Sequence, residues 1–355
     1  MLLMLCLLLT ALSLPAYAED APVFNTAAEL MDCIGGERAP ALAEEIRFFY
    51  TEELDWVFSD PEPMEAVLYN AGILHWRQYQ NAETREVRLT EIEYYPGFEI
   101  AQRRKAGEMH LLDEEQAALL AEAEKIVSGV METAESEYEI ARGLHDELVR
   151  RVTYESSEMY FGDSRDTAVG ALMNGLAECD GYTDAYYLLC SIAGLQAGYQ
   201  HGLSADGDGW IGHLWNVVCV DGLWYHTDVT WDDIGWDSYP GLCTYRYFMA
   251  GSAEMLENHG WDDALVNRPL AEENREDLFF YTRSGACFET LKDAASYIAA
   301  QKKGPEEQFV HVMVKGTQEG ATLNDLLARS GMKGGWSVYS YPMGEDVCYD
   351  ILIAG

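Results

Sequence analysis

Basic side chains are scarce in this chain of 355 residues, which has 23 lysines and arginines against 61 aspartates and glutamates. The formal net charge is therefore −38 at neutral pH. Because a field of this sign repels phosphate groups, we expect no binding to nucleic acid or to anionic membrane surfaces. The surplus of acidic side chains indicates a well-solvated surface, as suits a protein outside the cell.

Long hydrophobic runs are also absent, apart from residues 1–18, which are mostly leucine, methionine and alanine. This run is shorter than a helix that crosses a membrane usually is. Ala16-Tyr17-Ala18 has the small-Xaa-small pattern of a signal-peptide cleavage site, although no lysine or arginine precedes the run. We therefore predict a cleaved signal peptide over residues 1–18, a secreted protein, and no membrane contact after cleavage.

No pattern typical of a metal site or a disulfide framework stands out. The cysteines and histidines lack the paired spacing of zinc ligands, and the eight cysteines are scattered. Asp206-Gly207-Asp208-Gly209 lacks the ligand number and the closing glutamate of a calcium loop. The other acidic candidates for oxygen ligands are Asp232, Asp233 and Asp237. We expect mostly reduced cysteines, no metal and no cofactor.

What the chain does contain is a cysteine at a predicted helix start. Apolar side chains recur at the spacing of one helix face over residues 180–192, and Gly194 supplies a stop. Unpaired backbone N–H groups and the helix dipole favour a thiolate at Cys179. Cys179 is therefore the candidate nucleophile, whereas Cys190 lies on the apolar face and is expected to be a buried hydrophobe.

A histidine and an aspartate follow in a predicted hairpin whose turn is Asp221-Gly222, a strong two-residue signal. Its strands are predicted over residues 213–220 and 223–229. Counting outward from the turn places His213 opposite Thr230, with Asp228 as its diagonal neighbour on the same face, at about 7–8 Å. The register therefore predicts a carboxylate beside an imidazole, the arrangement that orients a general base. His226 shares this face and is expected to be structural.

These residues resemble the transglutaminase-like superfamily, and more narrowly its secreted bacterial members with a papain-like fold. The family pattern joins a Cys-Xaa-Gly-Tyr helix start, a His-Xaa-Trp-Asn strand and an Asp-Xaa-Thr-Trp strand end. The matching residues are Gly170-Ala171-Leu172, Gly175, Cys179-Asp180-Gly181-Tyr182, His213-Leu214-Trp215-Asn216 and 224–232. The resemblance implies Cys179 as nucleophile, His213 as base and Asp228 as its orienter. Leu214 departs from the alanine of many relatives.

The predicted fold class is α+β, with a papain-like, transglutaminase-like catalytic core in which a helix packs on an antiparallel sheet. Two small α+β modules flank this core, and their similar order of elements suggests an internal repeat. The predicted segments are a signal peptide over 1–18, an N-terminal module over 19–110, a catalytic domain with lead-in helices over 111–275 and a C-terminal module over 276–355. The elements predicted before the core are strands over 45–51, 73–79 and 85–95, ended by Pro96-Gly97, and helices over 113–133 and 136–152.

Three functions from different classes remain open at this point. The first is a secreted cysteine peptidase or amidase that hydrolyses a protein or peptide through a thioester acyl-enzyme. The second is a protein-crosslinking acyltransferase, which passes the same acyl group to an amine. The third is a binding protein on a catalytically silent fold, which the complete set of Cys179, His213 and Asp228 disfavours. The resemblance favours hydrolysis over transfer.

Overall fold

The structure is a computed structural model that combines helices with three separate four- or five-stranded sheets, and the fold class is α+β as predicted. It describes residues 21–34, 42–155, 164–206, 209–235, 242–266, 268–272, 278–301, 308–316, 322–330, 335–343 and 345–353. The predicted signal peptide over residues 1–18 lies outside the described residues, as do Asp208 and Asp237. The sheets fall within the three predicted segments after residue 18, whose boundaries stay predictions.

The first sheet contains four strands in the order β1-β2-β4-β3, with β1 parallel to β2 and the other pairs antiparallel. Burial alternates along β2, because successive side chains point to opposite faces of the sheet, so Phe48 is buried and its neighbours are more exposed. The predicted strands agree with the observed ones to within two residues. The elements are β1 (Val23–Phe24), α1 (Ala27–Ile34), β2 (Ile46–Tyr50), α2 (Asp55–Ser59), α3 (Pro61–Asn70), β3 (Ile73–Asn81) and β4 (Glu86–Tyr94).

Pro96 ends β4 as predicted, but it also opens a helix that sequence analysis overlooked, α4 (Pro96–Ala106). Proline suits the first helical position because the N–H that it lacks would have no partner there. The next residue must be glycine, because a Cβ on Gly97 would lie 2.5 Å from a carboxylate oxygen of Asp184. This close approach fixes the N-terminal part of the chain to the central part.

The two helices predicted next are present as α5 (Glu114–Met131) and α6 (Glu137–Arg151). Asp113 begins α5 with a reciprocal capping box, in which its side chain accepts the Gln116 N–H and Gln116 accepts the Asp113 N–H. Ser136 caps α6 in the same manner through the N–H of Glu139. The apolar faces of both helices enter the largest hydrophobic core, together with the central sheet.

The central sheet has the order β10-β9-β8-β7-β11 and packs against the helix that begins at Cys179. β7 was not predicted, and β8 is longer than predicted. The elements are β5 (Thr153–Tyr154), β6 (Leu176–Ala177), α7 (Cys179–Ala193), β7 (Gln196–Asp206), β8 (Gly209–Val220), β9 (Leu223–Thr227), α8 (Val229–Asp232), β10 (Phe248–Ala250), α9 (Ser252–Met255) and β11 (His259–Gly260).

The predicted hairpin is confirmed in its turn and register but not in its length. Val220 pairs with Leu223 and Asn216 with Thr227, and both turn residues have positive φ, as a type I′ turn requires. β9 then ends at Thr227 because the next residue caps α8. The predicted pairing of His213 with Thr230 is therefore wrong, since Thr230 is helical.

The third sheet repeats the strand order of the first, as β12-β13-β15-β14 with one parallel and two antiparallel pairs. A helix again lies between the first and second strands and another between the second and third. The elements are α10 (Phe280–Arg283), β12 (Cys287–Phe288), α11 (Leu291–Gln301), β13 (Gln308–Val314), α12 (Leu323–Arg329), β14 (Trp336–Met343) and β15 (Asp346–Ile353). Searching the described residues finds no helix with the length and apolar character needed to cross a bilayer.

Candidate active site

Cys179 is the first residue of α7, as the apolar spacing predicted, and the helix ends before Gly194. It carries a free thiol and is only partly buried, whereas Cys190, on the buried face of the same helix, is fully buried. This difference follows from position, because residues of the first turn emerge at the helix end while the second half of α7 lies in the core. Of these two cysteines, Cys179 is therefore the one that a substrate could reach.

His213 and Asp228 lie side by side on the hairpin, with 2.6 Å between His213 Nε2 and Asp228 Oδ2. Both side chains are buried. Asp228 Oδ1 accepts the Trp231 N–H at 3.1 Å, so the cap of α8 holds the carboxylate in place. Burial opposes ionisation of Asp228, but His213, followed by a second histidine, outweighs it and holds the pKa of this carboxyl well below its usual range.

Hydrogen bonds of Thr183 fix the start of α7 against the strand that bears His213. Thr183 Oγ1 lies 2.8 Å from the carbonyl oxygen of Cys179 and 2.9 Å from that of Leu214. Asn216 Nδ2 donates to the Thr183 carbonyl at 3.1 Å. These hydrogen bonds hold Cys179 close to Leu214, the residue that follows His213 in the sequence. No hydrogen bond between Cys179 Sγ and His213 occurs among the described residues, and the predicted approach of the second ring nitrogen to the sulfur stays a prediction.

The surroundings of Cys179 oppose the thiolate that its helix position led us to expect. Crowding by protein atoms, followed by the charge of Asp180, raises the pKa of Cys179 well above its ordinary value, although a backbone hydrogen bond from Leu214 opposes the rise. Asp180 Oδ1 lies 3.6 Å from Cys179 Sγ, and its Oδ2 accepts the Tyr95 O–H at 3.0 Å. Burial raises the pKa of Asp180 to about 6. A nearby base is therefore needed to make Cys179 nucleophilic.

A second histidine, which sequence analysis did not single out, also contacts the carboxylate of Asp228. His259 Nε2 lies 3.1 Å from the same Oδ2 atom that His213 contacts. This histidine comes from β11, the edge strand next to β7, and it is buried. Sequence analysis could not predict this contact, because His259 is not part of any of the motifs.

The family model described as the transglutaminase-like superfamily matches residues 124–229. The matched segment runs from α5 to the first residue of α8 and contains Cys179, His213 and Asp228. Residues 124–229 form a transglutaminase-like domain. The family resemblance that the motifs predicted is thereby confirmed for this segment.

One curated relative of the transglutaminase-like domain is the kyphoscoliosis peptidase of Mus musculus, which is 25% identical over 175 residues. The match covers 44% of this chain but only 26% of the mouse protein, so the chain spans about a quarter of that relative's length. A solved structure, a proposed cysteine protease from Cytophaga hutchinsonii, is 16% identical with a TM-score of 0.28, covering 44% of this chain and 62% of that one. A TGase structure is 12% identical with a TM-score of 0.29, covering 59% of each chain. TM-scores this low carry no argument about function.

Aromatic rings surround the side chain of His213. The ring of His213 lies 5.8 Å from that of Trp215 and 6.1 Å from that of Trp231, measured between centroids. Trp215 Nε1 donates to His226 Nδ1 at 3.0 Å, and burial lowers the pKa of His226 to about 3. His226 is therefore neutral and structural, as expected. The rings restrict the access of water to the pair formed by His213 and Asp228.

Asp232 and Asp233, which the sequence offered as oxygen ligands, have structural partners instead. Asp232 Oδ2 lies 3.2 Å from His145 Nε2, and Asp233 Oδ2 accepts the Tyr182 O–H at 2.7 Å. Burial opposes protonation of His145, but its hydrogen bonds to Asp146 and Asp232 raise its pKa to about 9. An imidazolium between two carboxylates therefore ties α6 to the end of the hairpin.

Within the described part of the chain, two clusters could nevertheless present three ligand atoms within 4.8 Å of one another to a metal ion. Their members are His213, Asp228 and His259 in the first, and His145, Asp146 and Cys243 in the second. In both clusters, the histidines and the carboxylates already form hydrogen bonds with one another. A metal in the first cluster would also occupy the candidate base. The absence of a metal stays a prediction.

Proposed function

We propose that this protein is a secreted cysteine peptidase or amidase that hydrolyses amide bonds in proteins or peptides. Cys179 acts as nucleophile, His213 as general base and acid, and Asp228 orients His213. The observation that carries the proposal is the 2.6 Å hydrogen bond between His213 Nε2 and Asp228 Oδ2, on a strand clamped to the helix that Cys179 begins. The family of residues 124–229 supports the same set of roles.

In the first half of the proposed reaction, His213 takes the proton of the Cys179 thiol through Nδ1, because Asp228 occupies Nε2. The sulfur then attacks the carbonyl carbon of the amide and forms a tetrahedral intermediate. Collapse of this intermediate breaks the C–N bond, and the imidazolium gives its proton to the departing amine. The products are a thioester on Cys179 and a free amine. The raised pKa of Cys179 is consistent with proton transfer to His213 as part of this step.

In the second half, water replaces the amine and His213 removes one of its protons as the oxygen attacks the thioester. The C–S bond breaks, the carboxylic acid leaves, and the thiol is regenerated with the proton held by His213. Asp228 stays ionised throughout and stabilises the imidazolium by charge. An amine in place of water would give transfer instead of hydrolysis, so the same acyl-enzyme serves both reactions.

Export is part of the proposal and rests on the leucine-rich run and the Ala16-Tyr17-Ala18 pattern. The net charge of −38 supports a protein or peptide as substrate rather than nucleic acid or a lipid surface. Mass spectrometry of the N-terminus of the protein recovered from the culture medium tests export. A chain that stays inside the cell with residues 1–18 attached contradicts this part of the proposal.

The reaction is tested by incubating the protein with casein and an excess of a fluorescent primary amine. Released peptides report hydrolysis, labelled casein reports acyl transfer, and intact-mass measurement detects the acyl group on Cys179. We expect released peptides from the wild type and from Cys190→Ala, and none from a folded Cys179→Ala. Asp228→Asn should lower the rate by orders of magnitude, up to about 10⁴ by analogy with serine triads.

Each other outcome of this experiment points to a different function. Wild-type activity in Cys179→Ala, or its loss in Cys190→Ala alone, contradicts the assignment of the nucleophile. Labelled casein without released peptides favours the crosslinking acyltransferase. If the folded wild type forms no acyl-enzyme with casein or with a panel of peptides, the result favours the silent binding protein.

A further inference from the structure

Asp228 has two imidazole neighbours, although a triad requires only one. His213 Nε2 and His259 Nε2 lie 2.6 Å and 3.1 Å from the same oxygen, Oδ2. All three side chains are buried, and the two rings are 5.5 Å apart between centroids. A buried polar group needs a hydrogen-bond partner, but a buried histidine could find one in many places. His259 contacts the same Asp228 oxygen that orients the candidate base, and this choice of partner points to a role in the reaction.

We propose that His259 is a positioning residue for the reaction of Cys179, which donates its Nε2–H to Asp228 and thereby fixes the carboxylate that orients His213. This inference rests on the proposed function of the triad. His259 lies outside residues 124–229, the segment that defines the transglutaminase-like domain. The edge strand β11 thus completes a site whose other parts lie on α7 and the hairpin.

Hydrogen bonds to both oxygens hold the carboxylate of Asp228 in one orientation. Oδ1 accepts the Trp231 N–H at 3.1 Å, and Oδ2 accepts from the two histidines. Rotation of the carboxylate about its bond to Cβ would break all three hydrogen bonds together. Without His259, Oδ2 would be held by His213 alone, and only the Trp231 N–H at Oδ1 would still oppose a joint rotation of the carboxylate and the His213 ring. The angle at which His213 Nδ1 faces Cys179 therefore depends on His259.

Both nitrogens of His259 face an oxygen atom. His259 Nδ1 lies 2.8 Å from Asn258 Oδ1, and Asn258 Nδ2 donates to the Tyr247 hydroxyl at 2.6 Å. Burial lowers the pKa of His259 despite the opposing effect of Asp228. Because a charged carboxylate is a stronger acceptor than an amide oxygen, the hydrogen bond from Nε2 to Asp228 is the stronger of the two.

Asn258 links His259 to Tyr247, since its amide oxygen faces the ring and its amide N–H donates to the hydroxyl. Burial raises the pKa of Tyr247 to about 12, so this hydroxyl keeps its proton. The contact at Nδ1 therefore holds the ring of His259 in the orientation that presents Nε2 to Asp228. The two histidines also keep Asp228 ionised, because two N–H donors stabilise the charge on Oδ2. An ionised Asp228 is what His213 needs when it accepts the thiol proton.

His226 provides a matched control for this inference. It is as fully buried as His259 and belongs to the same aromatic cluster, with ring centroids 6.1 Å and 5.1 Å respectively from Trp215. Its nitrogens contact Trp215 and Ser252, and neither contacts Asp228. Replacing His226 therefore disturbs the packing of the cluster without removing a donor from the carboxylate.

The experiment measures the rate at which iodoacetamide alkylates Cys179 in the full chain at pH 7, followed by mass spectrometry of the peptide that contains it. This probe needs no knowledge of the substrate. We expect His259→Leu to slow alkylation roughly tenfold to a hundredfold, the equivalent of one lost hydrogen bond to a charged group. His259→Gln should recover most of the rate, because its side-chain N–H can reach Asp228. His226→Leu should lower the melting temperature and keep the rate within about twofold of wild type.

Asn258→Ala supplies a second test if His259→Leu does not fold. It should slow alkylation a few-fold, since the ring of His259 then loses the contact that holds Nδ1. Wild-type rates in folded His259→Leu or Asn258→Ala overturn the inference, as do equal losses in His259→Leu and His259→Gln. Asp228→Asn separates this inference from the proposed function. If Asp228→Asn leaves the rate unchanged, the triad itself is wrong, whereas a slow Asp228→Asn with a fast His259→Leu overturns only the role of His259.

Discussion

The N-terminal and C-terminal sheets have the same strand order but meet the transglutaminase-like domain in different ways. The first sheet leads directly into Tyr95 and α4, which contact α7 in its first two turns. The second sheet packs through Tyr341 and β13 against the outer part of the central core. Two copies of one architecture can therefore play different roles, because the contact that each makes decides its influence on the site.

The N-terminal contact is centred on a buried carboxylate, that of Asp184 on α7. It accepts hydrogen bonds from the backbone N–H groups of Gly97, Phe98 and Ala168 and from the Tyr199 hydroxyl. Gly97 and Phe98 lie in the first turn of α4, where N–H groups lack partners within the helix. The Asp184 side chain of α7 thus accepts hydrogen bonds from the unpaired N–H groups at the start of α4, and this contact joins the two helices.

The C-terminal contact consists of aromatic packing and isolated polar pairs. Phe280 stacks on Tyr245 with 3.6 Å between ring centroids, and the hydroxyls of Tyr281 and Tyr341 are 2.5 Å apart. His311 Nδ1 lies 2.7 Å from Asp350 Oδ1 within the sheet. None of these contacts includes Cys179, His213 or Asp228. We therefore expect this region to contribute to stability, and the N-terminal region to contribute to both stability and reactivity.

The largest effect should come from removing the buried carboxylate of each region. Asp184→Ala leaves several buried donors without an acceptor and should lower the free energy of unfolding by about 3 kcal/mol or more. It should also slow alkylation of Cys179, because α7 loses its anchor. Asp350→Ala removes the partner of His311 Nδ1 and should cost about 1–3 kcal/mol without changing that rate. Urea titration measures the free energy of unfolding, and the iodoacetamide assay measures the rate of alkylation. Equal slowing by the two variants would contradict the predicted difference between the two regions.

An intermediate effect should come from deleting one tyrosine hydroxyl in each region. Tyr95→Phe removes the donor to Asp180 Oδ2 and should lower the free energy of unfolding by about 1 kcal/mol. Because this hydrogen bond lowers the pKa of Asp180, and the charge of Asp180 raises the pKa of Cys179, the same variant should make alkylation of Cys179 about twofold faster. Tyr341→Phe removes the hydroxyl that contacts Tyr281 and should lower stability by a similar amount while leaving the rate unchanged. The comparison fails if Tyr341→Phe changes the rate or if Tyr95→Phe does not.

The smallest effect should come from Asp180→Asn and depends on pH. Burial raises the pKa of Asp180 to about 6, so the folded protein holds this proton more tightly than the unfolded chain does. The stability that this proton provides is present at low pH and is lost as pH rises from about 4 to about 6. Asp180→Asn removes this loss, so its stability should exceed that of wild type by about 0.5–1 kcal/mol at pH 7, since the residue is partly exposed.

The same variant should lower the pKa of Cys179, because the charge of Asp180 contributes to its rise. Alkylation of Cys179 at pH 7 should then be a few times faster than in wild type. Melting temperatures at pH 4 and pH 7 provide the control, since the two proteins should differ less at the lower pH. An Asp180→Asn variant that alkylates more slowly than wild type would show that the carboxylate assists the thiol instead of opposing its ionisation.

Local features of this protein were predictable because they depend on residues close together in the chain. Asp113 and Ser136 mark helix starts through side chains that reach only three residues ahead. The pairing of His213 with Asp228 followed from Asp221-Gly222, because a two-residue turn fixes the register and the two-residue period fixes the face. The strand end was the exception, since Asp228 caps α8 and ends β9 two residues earlier than predicted.

Distant contacts were decided by the tertiary structure alone. His259 and Asp228 are 31 residues apart, and Tyr95 and Asp180 are 85 residues apart, so no periodicity links the members of either pair. The direction in which the pKa of Cys179 shifts belongs to the same class, because helix position lowers this pKa whereas packing and Asp180 raise it. The sequence by itself determined which residues a hairpin and a helix start would present. Only packing decided the desolvation and the charges that those residues meet, because both depend on atoms from remote parts of the chain.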